Sequence, residues 1–274
     1  MVRLSPRSRD DVERRALSAA TLRGALFSDR ARRVVHALAD LFLPVLCACC
    51  ERVLDAREPG IVCGRCWSRL RLLSSPRCER CGHPTGGRAC RWCAGLPPYV
   101  RAARSVCWAT IGTGQRIVHA FKYEGWWKVA DGMAARMARL DWPRDVVDER
   151  DALVPVPLGA SRRRQRGYNQ SECLARALAP LWGVPVRLDV LERARDTETQ
   201  TRLSPEDRVR NVLGAFRTRS AARDSLRGAH VVLVDDVVTT AATLNACAAA
   251  LRDTGVRIIS YVTFGRAPAI GDRP

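Results

Sequence analysis

Lysine is almost absent. Lys122 and Lys128 are the only two among 46 lysines and arginines, so the net charge of +18 and the pI near 10.4 rest on arginine. A surface this basic admits acidic partners such as nucleotides or nucleic acid. A base-composition bias in the genome would give the same figure, so charge alone selects no partner. Long apolar runs are missing as well. The run Ala37 to Leu46 falls short of the ~20 residues of a membrane span, and Pro44 interrupts it. The first forty residues carry Asp10, Asp11 and Glu13 among their arginines and lack the apolar core of a secretory leader. These absences exclude a membrane span and make the cytoplasm the expected compartment. An apolar content of 47% excludes wholesale disorder, and 274 residues suffice for one large domain beside a small one. Residues 1–44 are expected to form a basic helical extension, with one or two amphipathic helices over 11–43.

Cysteine, by contrast, is abundant and in register. Eight of the twelve cysteines form four successive C-x-x-C knuckles: Cys47/Cys50, Cys63/Cys66, Cys78/Cys81 and Cys90/Cys93. Each knuckle places two thiolates on one side of a tight turn, and two knuckles complete a tetrahedral four-thiolate site. A disulfide framework wants an oxidising compartment, and a redox C-x-x-C normally comes singly. The expectation is therefore two structural zinc ions in a double ribbon over 45–95. Pairing first knuckle with second and third with fourth is favoured over a cross-braced arrangement. Cys49 offers a third thiolate at the first knuckle. His83 reads either as a substitute ligand or as an ordinary loop histidine. Cys107, Cys173 and Cys247 read as small core residues. A closed site of four thiolates leaves no position for chemistry, so the chemistry belongs downstream.

Downstream, VVLVDDVVTTAATL (231–244) joins a β-branched run to two aspartates and a block of small hydroxyl residues. Val231 to Val234 predicts a buried strand. Acids at a strand's carboxyl end sit where α/β sheets bind ligands. Small residues opening a helix at Leu244 present backbone N–H groups suited to a phosphate. Together they point to a sugar phosphate. Further upstream, Ala152 to Val156 predicts a strand that opens into a loop holding Arg162, Arg163, Arg164 and Arg166. A helix then begins around Asn169 to Ser171. Guanidinium groups beside a helix start suit a pyrophosphate, although a solvated basic face or a nucleic-acid patch remains open. Residues 96–102 read as a linker, Ser105 to Thr110 as a strand, 112–116 as a helix start, and 128–139 as a helix. FKYEGWW (121–127) offers Lys122 and Tyr123 as ligand contacts. Residues 196–216 read as a mobile lid or a long surface loop. A helix to Arg252 and a strand over Val256 to Phe264 close an alternation that implies a mostly parallel sheet flanked by helices.

The acidic block resembles the phosphoribosyl-pyrophosphate (PRPP) loop of type I phosphoribosyltransferases. The resemblance implies that Asp235 and Asp236 hold the ribose hydroxyls. It assigns the 5′-phosphate to the turn Thr239, Thr240, Ala241, Ala242 and Thr243. The pyrophosphate then falls to the loop 157–168, with Arg162, Arg163, Arg164, Arg166 and Tyr168, and 196–210 becomes a mobile hood. Mg2+ is implied to accompany PRPP. The whole order of FKYEG, VPVPLGASRRRQRGYNQSE, QTRLSPEDRVRNVLGAF and VDDVVTTAATL behind a cysteine-rich front is similar to the ComF family over about residues 45 to 266. That resemblance implies a phosphoribosyltransferase-like α/β domain over 103–274 behind the ribbons. It also implies a cytoplasmic role in the uptake of single-stranded DNA during natural competence, beside a helicase-like protein. One departure stands out. Ala241 takes a position usually held by glycine, and if that residue needs positive φ, alanine costs about 1 kcal/mol.

The rival reading is a module that holds single-stranded DNA or a protein partner without transferring anything. Aromatic platforms with arginine grooves suit unstacked strands, and Trp67, Trp92, Trp126 and Trp127 are the candidate platforms. Core packing is the other reading of the same tryptophans.

Overall fold

Both faces of one parallel sheet are buried, and the alternation of side chains along its strands builds two separate cores. The structure, a computed structural model, describes residues 45–274 apart from 56, 57, 59, 86–89, 196–211, 213, 221–223, 269, 270, 273 and 274. The expected extension at 1–44 and the expected hood at 196–210 lie outside the described residues. Residues 47–274 form one compact unit.

A short helix α1 (Gly64–Ser68) lies in the cysteine-rich front. After it come β1 (Val100–Trp108), α2 (Gly112–Tyr123), α3 (Val129–Met137), α4 (Arg144–Glu149) and β2 (Arg150–Pro155). The chain continues through α5 (Ala160–Arg166), α6 (Gln170–Trp182), β3 (Leu191–Arg193), β4 (Phe216–Thr218), β5 (His230–Val238), α7 (Ala242–Arg252) and β6 (Ile258–Arg266). The sheet order is β1-β6-β5-β2, parallel throughout, as the strand–helix alternation implies. β3 and β4 form a separate antiparallel pair. Successive strand residues point to opposite faces, so Val232 and Val234 of β5 enter one core with Leu153, Val262 and Phe264. Val231 and Leu233 enter the other with Val154, Ile259 and Tyr261. Helix residues Met133, Leu174 and Leu178 fill the first core, and Leu244, Cys247 and Leu251 fill the second.

Several boundaries differ from expectation. β1 begins at Val100, inside the expected linker, because Val100 and Ala102 are core residues. β5 does not stop before the acids. Val237 and Val238 pair with Gly265 and Arg266, so the ladder carries the strand through Asp235 and Asp236. The expected arginine loop is the helix α5, closed by Gly167 at φ 78°. A left-handed C-terminal glycine of this kind is the usual helix stop. The expected helix at 128–139 is shorter, and α2 extends to include the FKY triplet.

The two ribbons straddle β1. Cys47, Cys63 and Cys66 pack into the core on one sheet face, and Cys81 into the core on the other. Between them residues 71–73 run along the outer edge of β1: Trp108 N donates to Arg71 O at 2.9 Å, and Leu72 bridges Cys107. Trp67 of the first ribbon seats on α3 so closely that a Cβ on Gly132 would lie 2.5 Å from its Cζ2. The Arg136 guanidinium covers that indole at 3.7 Å, and Phe264 meets it edge-on at 6.2 Å. On the second side, Arg266 is 0% exposed, donates to Cys81 O at 2.6 Å and covers Trp92 at 4.1 Å.

Candidate functional site

Two tetrads of thiols are preformed. Cys47, Cys50, Cys63 and Cys66 have sulfurs within 4.8 Å of one another, as do Cys78, Cys81, Cys90 and Cys93. The knuckles therefore pair first with second and third with fourth. Zn–S bonds of about 2.3 Å in a tetrahedron set sulfur–sulfur edges of about 3.8 Å. In the first tetrad Cys50 and Cys63 lie 3.8 Å apart and Cys47 and Cys66 3.9 Å. In the second, Cys78–Cys93 and Cys81–Cys90 are closer, at 3.3 Å. Backbone N–H groups of Cys63 and Cys66 point at Cys47 Sγ and Cys63 Sγ, an arrangement that favours thiolate. Four thiolates, with no further donor in either cluster among the described residues, fit a closed, structural zinc. Cys49 is outside the first tetrad, with Sγ directed to Thr113 O at 3.9 Å. His83 is not a ligand either. Its Nε2 pairs with Asp272 Oδ1 at 2.8 Å and its ring stacks beside Trp92. Cys107 and Cys247 are buried in the cores and Cys173 is partly buried against the first, as expected.

A cleft of about 230 Å3 opens at the carboxyl ends of β5 and β2, the position at which open parallel sheets take ligands. Asp235 and Asp236 lie at its floor, Thr239, Ala241, Ala242 and Thr243 form one wall, and Arg162, Arg166 and Arg193 approach from the others. Ala241 stands at φ 60°, ψ 6°, the left-handed residue before α7. The condition attached to the missing glycine is thus met: an alanine holds a backbone shape that glycine adopts without strain.

The floor is electrostatically crowded. Asp236 is 6% exposed and pairs with Lys122 Nζ at 3.1 Å. Asp235 Oδ1 accepts from Ser171 Oγ at 2.8 Å and from the Asp236 amide at 2.9 Å. Burial, and then the charge of Asp236, push Asp235 up to about 7, against the pull of Ser171 and Lys122. Tyr168 is also pushed up, to about 12, chiefly by burial.

The predicted residues do not all converge. Lys122 and Tyr123 join the acids and the turn in lining the cleft, and Arg166 lies over the Tyr123 ring at 5.1 Å. Arg163, Arg164, Tyr168 and Thr240 are not among the lining residues. Arg163 lies 3.9 Å from Glu172, Tyr168 donates to Phe121 O, and Thr240 Oγ1 accepts from the Ala242 amide at 3.4 Å. Asn169, Gln170, Ser171 and Arg193 also line the cleft; the first three were read only as a helix start beside the arginines, and Arg193 was not singled out. Asn169 was legible as a helix N-cap, and it accepts from Ser171 N at 3.1 Å; its nearness to Asp235 was not legible. Of the tryptophans, Trp67 and Trp92 are covered by Arg136 and Arg266. Trp126 packs against the first core, while Trp127 is 54% exposed beside Lys128.

Two family models match the chain. The family model for a double zinc ribbon domain matches residues 38–96, and that for a phosphoribosyl transferase domain matches residues 165–272. The DNA utilization protein YhgH of Salmonella typhi is 33% identical over 228 residues, covering 80% of this chain and 96% of that one. Competence protein F of Haemophilus influenzae is 37% identical over 117 residues, covering 43% and 51%. Competence protein ComFC of Bacillus subtilis is 27% identical over 202 residues, covering 71% and 79%. Overlap with solved structures is slight: a B. subtilis glutamine PRPP amidotransferase is 19% identical, with a TM-score of 0.33 over 49% of this chain and 25% of that one. On the near full-length match to the DNA utilization proteins, together with both domain models, the chain belongs to the ComF family of double-zinc-ribbon, phosphoribosyltransferase-domain proteins.

Proposed function

We propose that the cleft binds PRPP, or a related phosphorylated ribose, together with Mg2+, and that the chain uses it in the uptake and processing of DNA during competence. The observation that carries this reading is the placement of two acids, a helix-opening turn and three guanidinium groups around one cleft. Asp235 and Asp236 accept from the ribose hydroxyls. The amides at the start of α7, with Thr239 and Thr243, hold the 5′-phosphate. Arg162 and Arg166 neutralise the pyrophosphate, where negative charge grows if the bond to ribose C1 breaks. Mg2+, which takes oxygen ligands, would be held largely by the phosphates themselves and would offset their charge.

Calorimetric titration of Mg2+–PRPP into the wild-type protein and Asp236→Asn tests the reading. Micromolar binding in the wild type, weakened at least tenfold in the variant, supports it. Absence of binding in the wild type overturns it. A salt-dependent affinity for a single-stranded oligonucleotide under the same conditions would then point to the DNA-holding module.

A further inference from the structure

Ser171 belongs to no motif of the acidic block, yet its hydroxyl donates to the Asp235 carboxylate oxygen Oδ1 alongside the Asp236 amide. Its place is set from behind. Asn169 bridges the Ser171 amide, at 3.1 Å, to the carbonyl of Val156 just beyond β2, at 3.0 Å. The first turn of α6 is thereby fixed to the strand neighbouring β5. Ser171 is 4% exposed, so the hydroxyl is held in that direction rather than sampling solvent. Hydroxyl and Asp236 amide converge on Oδ1, at 2.8 and 2.9 Å.

We infer that Ser171 is a positioning residue: it orients Asp235 so that the second carboxylate oxygen meets a ligand hydroxyl. The inference rests on the proposed ribose site and deepens it. A hydrogen bond donated to a carboxylate is stronger than one between neutral groups and favours the charged form. The groups that face Asp235 divide by sign. Asp236 on the same strand and burial oppose ionisation, while Lys122 of α2 assists it. Arg162 and Arg166 of α5 and Arg193 of β3 line the same cleft. Cys247 of α7 lies against Asp235 from the core, its thiol held neutral by burial. Among the groups that favour the charged Asp235, Ser171 is the foremost, so its removal leaves the carboxylate both less oriented and more readily protonated.

The test uses the full chain without ligand first. Aspartate carboxyl carbons are followed by 13C NMR across pH in wild type, Ser171→Ala and Ser171→Thr, with the Asp235 signal assigned by its loss in Asp235→Asn. In Ser171→Ala the proton affinity of Asp235 should rise about tenfold, the weight of one charge-assisted hydrogen bond, and Ser171→Thr should restore it. The same proteins are then titrated with Mg2+–PRPP at pH 7, where Ser171→Ala should bind about tenfold more weakly and Ser171→Thr like wild type. An Asp235 titration that is the same in Ser171→Ala and wild type overturns the assignment, as does equal PRPP affinity in the two. A shifted titration in a protein whose wild type binds no PRPP supports the Ser171–Asp235 coupling and overturns the ribose site instead.

Discussion

Ala241→Gly should leave stability nearly unchanged and tighten the grip on a phosphorylated ligand. Ala241 holds φ 60°, a shape that costs a residue with a Cβ about 1 kcal/mol or somewhat more. Glycine removes that strain. Against this, glycine has more freedom in the unfolded chain, worth ~0.4–1 kcal/mol. The Ala241 methyl is also buried, the residue being 5% exposed, and losing one such group costs about 0.8 kcal/mol. The three effects leave the variant within about 1 kcal/mol of wild type, or about 4 °C in Tm for a domain of this size. Affinity has no such cancellation. Ala241 lines the cleft beside Thr239 and Thr243, and its Cβ is expected to crowd a phosphate held by that turn. Relief of crowding in a packed site is worth on the order of 1–3 kcal/mol, and about tenfold tighter binding is the expected result. Thermal unfolding and calorimetry with Mg2+–PRPP read the two halves separately. A Tm loss beyond about 6 °C would mean that the methyl packs more than the turn strains. Unchanged affinity at unchanged stability would refute the claim that the Cβ limits the phosphate.

Gly132→Ala should destabilise, although alanine ordinarily gains about 1 kcal/mol over glycine inside a helix. The new Cβ would lie 2.5 Å from a Trp67 ring already pinned by Arg136 and Phe264, so a net loss of about 1–2 kcal/mol is expected from overpacking. In a Trp67→Ala background the same change should become stabilising, and urea unfolding of the four proteins measures the coupling. Metal analysis should find about two zinc ions per chain, one for each tetrad, and chelation should lower Tm because Cys47, Cys63, Cys66 and Cys81 sit within the cores; fewer than one ion would refute the double site. Asp235 is pushed up to about 7 from an unfolded value of about 3.9, so the folded state holds the extra proton. Its contribution to stability is full below about pH 4 and is lost as pH rises through 7. Asp235→Asn should therefore gain stability relative to wild type at pH 8 compared with pH 5, and equal differences at both would refute the raised value.

What could be read along the chain was whatever repeats or alternates locally. The C-x-x-C spacing announced the four knuckles, because each is a local turn, while which knuckles share a tetrad is fixed by the fold. The β-branched run at 231–234 announced β5, but its end was misplaced: Val237 and Val238 stay in the ladder through partners on β6, which no local pattern displays. The arginine segment read as a loop because Pro157 and Gly159 precede it and its charges repel. Gly167, placed to close a helix, was the available contrary sign. The support under the acids was not legible at all. Ser171 and Asp235 lie 64 residues apart, and only the side-by-side placement of β2 and β5 brings them together. The same holds for Trp67 and Trp92, whose partners Arg136 and Arg266 come from elements far along the chain.

The sheet order has a consequence for how the protein is made. β1 lies beside β6 and touches no other strand of its sheet, yet β6 follows every other strand in the chain. Between Trp108 and Ile258 a ribosome works for about ten to thirty seconds at ordinary rates. Throughout that interval the inner edge of β1 has no strand beside it, and bare edges template misassembly. The ribbons are synthesised before β1, and residues 71–73 lie along its outer edge. Zinc capture at the front of the chain would thus give the nascent β1 one closed side while it waits for the strand that closes the other.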